Sequence, residues 1–316
     1  VSIVVVLLPF IPHEYATRRV NGKKGSRYRA ATFRPGATFA ADAYGAEAAG
    51  GMGISPSGAA DISHPGNKER SMASSGRILS GSLRGRLSIV IPTLNEEGAI
   101  GRALESVAGL GAEVIVADGG SRDMTCDIAA RHGARIVAAP QGRGPQLCAG
   151  ADIATGEALL FLHADSFLGE GAEHALRRAL ADPAFQIGTF RLRFAEPGPL
   201  YSLYCWFTRF DSVWSSFGDQ GIVVRRALYD RIGGFPPWPL LEDVEFLRGA
   251  RQLARVRSLA GEIVTSARRF QKIGVLRQQI RNAGIILKFL GGVSPEVLAR
   301  VYRGESREST SAPLPT

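Results

Sequence analysis

Leu159-Leu160-Phe161-Leu162-His163-Ala164-Asp165-Ser166 is an apolar run that stops on a histidine and an acid. Four large apolar residues in succession predict a strand buried on both faces. Residues just past the end of such a strand lie at the rim of a sheet, where open α/β folds bind their ligands. An acid there can hold a divalent cation. The plainer alternative is a strand ending in a polar turn.

The flanking sequence supplies the rest of a sheet. Upstream, Leu87-Ser88-Ile89-Val90-Ile91 predicts a strand ended by Pro92. Asn95 is then expected to cap a helix with Glu96 and Glu97 in its first turn and Ile100, Leu104, Val107 and Ala108 at helical spacing. Val114-Ile115-Val116-Ala117 predicts a second strand, and Asp118-Gly119-Gly120-Ser121-Arg122-Asp123 a tight turn into a helix through Ile128 and Ala129, with Asp123 as its N-cap. Arg135-Ile136-Val137-Ala138 reads as a third strand and residues 146–154 as a helix. The order β-α-β-α-β-α-β with short connections predicts a parallel sheet with right-handed crossovers.

Downstream, residues 171–180 read as a helix, and Gly188-Thr189-Phe190-Arg191-Leu192-Arg193-Phe194 alternates at period 2, which predicts a mixed sheet. Residues 200–214 are rich in aromatics, including Tyr201, Tyr204, Trp206, Phe207, Phe210 and Trp214; they read as core or as a wall for an acceptor. Gly221-Ile222-Val223-Val224 is a further strand, Gly233-Gly234-Phe235-Pro236-Pro237 a rigid loop, and Leu241-Glu242-Asp243-Val244-Glu245-Phe246 the opening of a helix. Over residues 277–290, Ile280, Ile285, Ile286, Leu287 and Leu290 combine with Arg277, Arg281 and Lys288. That helix either packs on the domain or lies on a membrane surface.

Charge and composition narrow the class. With 45% hydrophobic and 21% charged residues the chain has the makeup of a globular protein. The net charge is +9, but residues 1–86 hold 12 Lys/Arg against 5 Asp/Glu, whereas residues 87–316 hold 26 against 24. The basic excess thus belongs to the N-terminal segment, and no nucleic-acid partner is expected. Cys126, Cys148 and Cys205 lack the spacing of a zinc site or redox dithiol and argue for a reducing cytoplasm over a disulfide scaffold. No apolar run approaches the ~18 residues of a membrane span. Residues 1–86, rich in Gly, Ala, Ser and Arg, are expected to form a disordered, dispensable leader arising from an upstream start assignment, and residues 304–316 a disordered tail.

Taken together, Ile91-Pro92-Thr93-Leu94-Asn95-Glu96-Glu97, Asp118-Gly119-Gly120-Ser121-Arg122-Asp123, His163-Ala164-Asp165-Ser166 and Leu241-Glu242-Asp243 resemble family 2 glycosyltransferases of the GT-A fold. Gly218-Asp219-Gln220-Gly221, Ser266-Ala267-Arg268-Arg269-Phe270 and Gly292-Val293-Ser294-Pro295-Glu296 make the chain look closest to a bacterial subgroup named for its association with radical-SAM and selenium-domain proteins. The resemblance covers residues 87–303. It implies one GT-A, Rossmann-like α/β domain, with a mixed, mostly parallel sheet flanked by helices. It also implies transfer of a sugar from a nucleotide-diphosphate donor to an acceptor, with inversion.

The resemblance assigns roles by position. Asp118 would meet the nucleobase, with Pro92, Asn95 and Glu96 lining the same pocket; the alternative is that Asp118 closes a turn with Gly119 and Gly120. Asp165 would hold a divalent metal, manganese or magnesium. His163, standing where the family carries another acid, either adds a nitrogen ligand that favours manganese or sits in the core. Asp243 would be the general base and Glu242 the partner that orients its loop, unless both only complement a helix dipole. By its own chemistry, with two guanidinium donors to offer, Arg268 or Arg269 would pair with the donor phosphates, and Arg143, in Gln141-Gly142-Arg143-Gly144, either touches the nucleotide or is a solvated surface arginine. Competing readings are a non-catalytic nucleotide-sugar binder on the same fold and a nucleotidyltransferase; the acidic loop after the first strand counts against the latter. The aromatic stretch and the basic helix suggest a lipid-like acceptor and a peripheral contact at the inner face of the cell membrane.

Overall fold

The computed structural model describes residues 81–196, 198, 201, 205–206, 218–266 and 275–303. Residues 1–80 of the expected leader and the expected tail, 304–316, lie outside the described residues.

Eight strands, β1 (Leu87–Thr93), β2 (Glu113–Asp118), β3 (Arg135–Ala138), β4 (Ala158–Phe161), β5 (Ser166–Leu168), β6 (Ile187–Phe194), β7 (Ile222–Arg225) and β8 (Val256–Thr265), form one sheet in the order β3-β2-β1-β4-β7-β6-β8-β5. The pairs β1/β2, β1/β4, β2/β3 and β6/β8 are parallel, whereas β7 runs antiparallel to β4 and β6, and β5 antiparallel to β8. Helices α1 (Ile100–Ala108), α2 (Thr125–Arg131), α3 (Arg143–Ile153), α4 (Ala172–Ala181), α5 (Arg226–Ile232) and α6 (Glu242–Leu253) accompany the sheet, followed by α7 (Val275–Leu290) and α8 (Pro295–Arg303). The expected mixed, mostly parallel sheet flanked by helices is the fold observed.

Strand alternation explains why the central runs are apolar throughout. Ile89, Ile91, Leu160, Leu162 and Val223 pack with Ile100, Leu104 and Val107 of α1 and Leu176 and Leu180 of α4. Their neighbours Val90, Leu159, Phe161, Ile222 and Val224 point to the other face, against Leu147 of α3, Leu228 of α5 and Phe246 and Leu247 of α6. A third cluster joins Leu192 and Phe194 of β6 to Leu240, Leu241, Val244 and, from α7 and α8, Ile285, Ile286 and Leu298. The helix over residues 277–290 therefore packs one face on the domain.

The structure departs from the sequence reading at several points. Asn95 caps no helix: α1 starts at Ile100 after Ala99, with no side-chain cap. The Glu96 carbonyl already accepts the N–H groups of Ala99 and Ile100, and the Asn95 side chain is engaged across to the next loop. Asp123 stands one residue before the cap position, Met124, yet its carboxylate accepts the Thr125 N–H at 3.0 Å and so holds the first turn of α2. Strands β5 and β8 and helices α5 and α8 were not foreseen. Fold contacts also begin before Leu87, because Leu83 is buried and its N–H donates to the Leu110 carbonyl.

Candidate functional site

Register brings the sequence-predicted residues to one edge of the sheet. Thr93 pairs with Asp118 at the C-terminal ends of β1 and β2, and Val90 pairs with Phe161 at the end of β4. Phe161 in turn faces Ile222, the first residue of antiparallel β7. The segment leaving β4, with His163 and Asp165, and the segment entering β7, a 3₁₀ turn over Gly218–Gln220, therefore meet at the same rim.

On the β1/β2 side two loops are stitched together. The Asn95 N–H donates to Ser121 Oγ at 2.9 Å and the Arg122 N–H to Asn95 Oδ1 at 2.8 Å. The Glu96 N–H donates to Thr125 Oγ1, and the Glu97 N–H to Asp123 Oδ2. Asn95 adopts φ 53°, a left-handed conformation that asparagine tolerates better than most residues. Asp118, almost fully buried, accepts the N–H groups of Gly120 and Ser121 on one oxygen and the hydroxyls of Ser121 and Thr93 on the other. Burial pushes its pKa up, but these four donors outweigh burial and hold it below the ordinary carboxylate value. The geometry thus gives Asp118 a turn-closing part; a base contact would require one of its donors to yield. Pro92, half-buried, precedes this loop pair.

On the other side α3 and α6 meet through a loop. Phe235 stacks on Phe246 at 4.3 Å between centroids and meets Phe161 edge-on at 4.7 Å, which anchors residues 233–239 between β4 and α6. Gly144, at the start of α3, lies against that loop: its N–H donates to the Trp238 carbonyl, and a Cβ there would sit 2.4 Å from the Pro236 oxygen and 2.6 Å from the Trp238 oxygen. Only glycine permits this approach, which carries Arg143 to within 3.5 Å of Glu242. Leu241, just before α6, is held at φ 67° while fully buried, a strained backbone that sets the departure of Glu242 and Asp243. Glu242 is pushed up to about 7, first by burial and then by the Asp243 charge, with Arg143 acting in the opposite sense.

One residue that the sequence reading treated only as part of a motif belongs to this site. Asp219 is 2% exposed, and neither carboxylate oxygen accepts a hydrogen bond among the described residues beyond its own backbone N–H. Burial and then the charge of Asp243 push it up to about 7; Arg143 opposes this and Asp165 adds to it. Asp219 therefore shares an electrostatic neighbourhood with Asp165, Asp243 and Arg143. A signal was present in the sequence: an acid shortly before an apolar strand mirrors the acid shortly after β4.

Asp165 is half-buried beside Ser166, and His163 lies buried between Leu162 and Ala164. Among the described residues no group of three or more His, Cys, Asp or Glu could hold a metal by itself. A divalent ion at Asp165 would need further oxygen ligands from outside the described residues, as divalent ions at phosphate sites commonly have. Arg268, Arg269 and Phe270 lie outside the described residues, as does most of the aromatic stretch.

Comparison with known proteins places these features in context. The sequence model of the family described as "Glycosyl transferase family 2" matches residues 88–225. A low-salt glycan biosynthesis hexosyltransferase of Haloferax volcanii is 41% identical over 92 residues, which cover 27% of this chain and 20% of that protein. An uncharacterized glycosyltransferase of Mycobacterium bovis is 35% identical over 86 residues, covering 27% and 39%. The chain thus spans well under half the length of these relatives. Among solved structures, a Pyrobaculum calidifontis mannosyltransferase in complex with GDP-Man and Mn2+ shares 18% identity at a TM-score of 0.48, covering 74% of each chain. Residues 88–225, which hold all but the first residue of β1 through β7 together with Asp118, Asp165 and Asp219, are a family 2 glycosyl transferase match.

Proposed function

We propose that the chain is a glycosyltransferase that moves a sugar from a nucleotide-diphosphate donor to a hydroxyl acceptor with inversion at the anomeric carbon. The observation that carries this reading is the gathering of Asp165, Asp219 and Arg143, which lie inside the family 2 match, with Glu242 and Asp243, which follow it, at the sheet rim. Asp243 takes the acceptor proton as the hydroxyl oxygen attacks the anomeric carbon; the bond from that carbon to the diphosphate oxygen breaks, and its electron pair leaves with the diphosphate. Arg143, steadied by Glu242, offers guanidinium N–H groups to the phosphates. A divalent ion, manganese or magnesium, held by Asp165 with a contribution from His163, would neutralise the charge growing on the leaving group. Asn95, Glu96, Pro92 and the loop that Asp118 closes form the nucleoside side of the site, with Arg269 assigned to the phosphates by its guanidinium donors.

Calorimetric titration of the full chain with UDP, GDP and their sugar conjugates, with and without manganese and beside Asp165→Ala, tests the reading. Metal-dependent binding that Asp165→Ala abolishes supports it. Absence of binding to the folded protein overturns it.

The acceptor side is read from the outer face of the last two helices. Ile280, Leu287 and Leu290 of α7 and Val297 and Val301 of α8 are exposed beside Arg277, Lys288 and Arg300. Apolar and basic groups interleaved in this way suit an anionic membrane surface and a lipid-like acceptor. No helix among the described residues is long and apolar enough to cross a membrane, so the contact would be peripheral. Co-sedimentation with anionic vesicles at low salt, reversed by high salt, is the expected result; indifference to the vesicles would end this part of the proposal.

A further inference from the structure

Asp219 presents a problem that the catalytic reading leaves unsolved. A carboxylate almost fully removed from water ordinarily has its oxygens occupied by donors, because burying it without them is costly. Asp118, on the same rim, has four donors, whereas Asp219 has none among the described residues beyond its own backbone N–H. Asp243 and, less, Asp165 further disfavour its charge, and Arg143 only partly offsets burial and these two acids. A group kept in that condition has oxygens that a ligand can satisfy.

Position narrows the class of ligand. The nucleoside side of the rim is built from the β1 and β2 loops, whereas Asp219 enters from the far side of β4, at the head of β7. It stands in the combined field of Asp243, Arg143 and Asp165, the groups that the proposed transfer sets around the donor's sugar and diphosphate. Between those two acids an inverting transfer has to hold the sugar ring, and a ring offers hydroxyl donors in neighbouring pairs. A carboxylate has two oxygens to receive such a pair.

We propose that Asp219 reads the transferred sugar, its buried carboxylate accepting hydrogen bonds from two neighbouring hydroxyls of the hexose on the nucleotide-diphosphate donor. The inference rests on the transferase reading and adds to it the residue that tells one sugar from another. Sugar binding supplies the missing donors, and burial makes an empty or wrongly filled subsite unfavourable. A sugar that lacks or inverts one of the two hydroxyls leaves an oxygen unsatisfied, which is how buried polar groups reject close analogues.

The test compares each nucleotide sugar with its parent diphosphate. The full chain, Asp219→Asn and Asp219→Ala are titrated with UDP-glucose, UDP-N-acetylglucosamine, GDP-mannose, UDP and GDP in the presence of manganese. Asparagine is nearly isosteric and removes a buried charge, so binding of the parent diphosphate doubles as a check that the variant is folded. The expected result is a loss of about tenfold or more in affinity for the preferred nucleotide sugar, with the affinity for its parent diphosphate within about twofold of the unmodified chain. Equal losses for sugar conjugate and diphosphate would assign Asp219 to the metal or the phosphates and overturn the inference, as would no loss at all. In both cases the transferase reading would survive. If the unmodified chain binds none of the five compounds, both fall together.

Discussion

Glu242, at the first turn of α6, places Oε1 3.5 Å from Nε of Arg143 at the first turn of α3, ninety-nine residues earlier in the chain, and both side chains are largely withdrawn from water. Neither helix could present its charge alone at this depth. Removing one member of a buried pair leaves the other uncompensated, but Glu242 has an escape, since its pKa already lies near neutrality. Arg143→Ala is therefore expected to cost about 1–3 kcal/mol at pH 8 and distinctly less at pH 6, where the orphaned carboxyl takes up a proton. Urea unfolding at the two pH values measures the difference.

The same carboxyl gives stability a pH dependence of definite sign. The folded value of Glu242, about 7, lies above its ordinary 4.5, so the folded state binds more protons through that interval. Its contribution is fully present below about 4.5 and lost as pH rises through about 7. Glu242→Gln should flatten the slope of unfolding free energy against pH between 5 and 8, and a slope unchanged by the substitution would contradict this account.

Glu113 works in the opposite direction at the far end of β2. Burial alone would raise its pKa, but the Ser88 hydroxyl, the Thr155 N–H, the Arg135 guanidinium and the Thr155 hydroxyl outweigh burial and bring it to about 2. Its stabilising share is present above about 4.5 and lost as pH falls toward 2. Glu113→Gln should lower the thermal midpoint at pH 7 by several degrees, and the gap to the unmodified chain should close on acidification across that range.

Gly144→Ala is expected to destabilise by about 1–3 kcal/mol, the usual cost of forcing a methyl group into a filled space. The added carbon would meet backbone oxygens that no side-chain rotation can clear. Since the displaced loop precedes Glu242, affinity for nucleotide sugars should fall along with the thermal midpoint. A variant that melts normally and binds normally would show that the loop yields freely.

The parts of this architecture that were legible in the sequence are those dictated locally. Strands β1, β2 and β4 are continuous apolar runs because both faces are covered, and their ends announce Asp118 and Asp165 without further information. Asn95 misled because its neighbours fit a helix start, whereas the bond it makes is to Arg122, in a loop that only the parallel pairing of β1 and β2 brings near. Strand β8 escaped notice because Arg257, Ser258, Gly261 and Glu262 interrupt its alternation. It changes register against β6 between Phe190 and Arg191, and Gly261 is needed where the strand passes beneath Ala172. Asp219 could be seen as an acid before a strand, but its meeting with Asp243 and Asp165 depends on β7 lying antiparallel beside β4, and no local pattern encodes that choice.

Strand β5 leads to a different kind of consequence. It immediately follows Asp165, and its one neighbour in the sheet is β8, with Ser166 Oγ donating to Thr265 Oγ1 across 99 residues of chain. During synthesis, therefore, the first four strands can assemble while the ribosome is still far from finished. The segment that carries the acid at their rim can already lean on α1, through the Leu168 N–H to Ser106 Oγ and Arg102 over the Phe167 ring, but it lacks its strand partner until Thr265 has emerged. Pairing over such a span is slow because the entropy of closing a long loop precedes any gain from contact. Completion of the rim is thus a late event in the life of the nascent chain, timed by the appearance of β8.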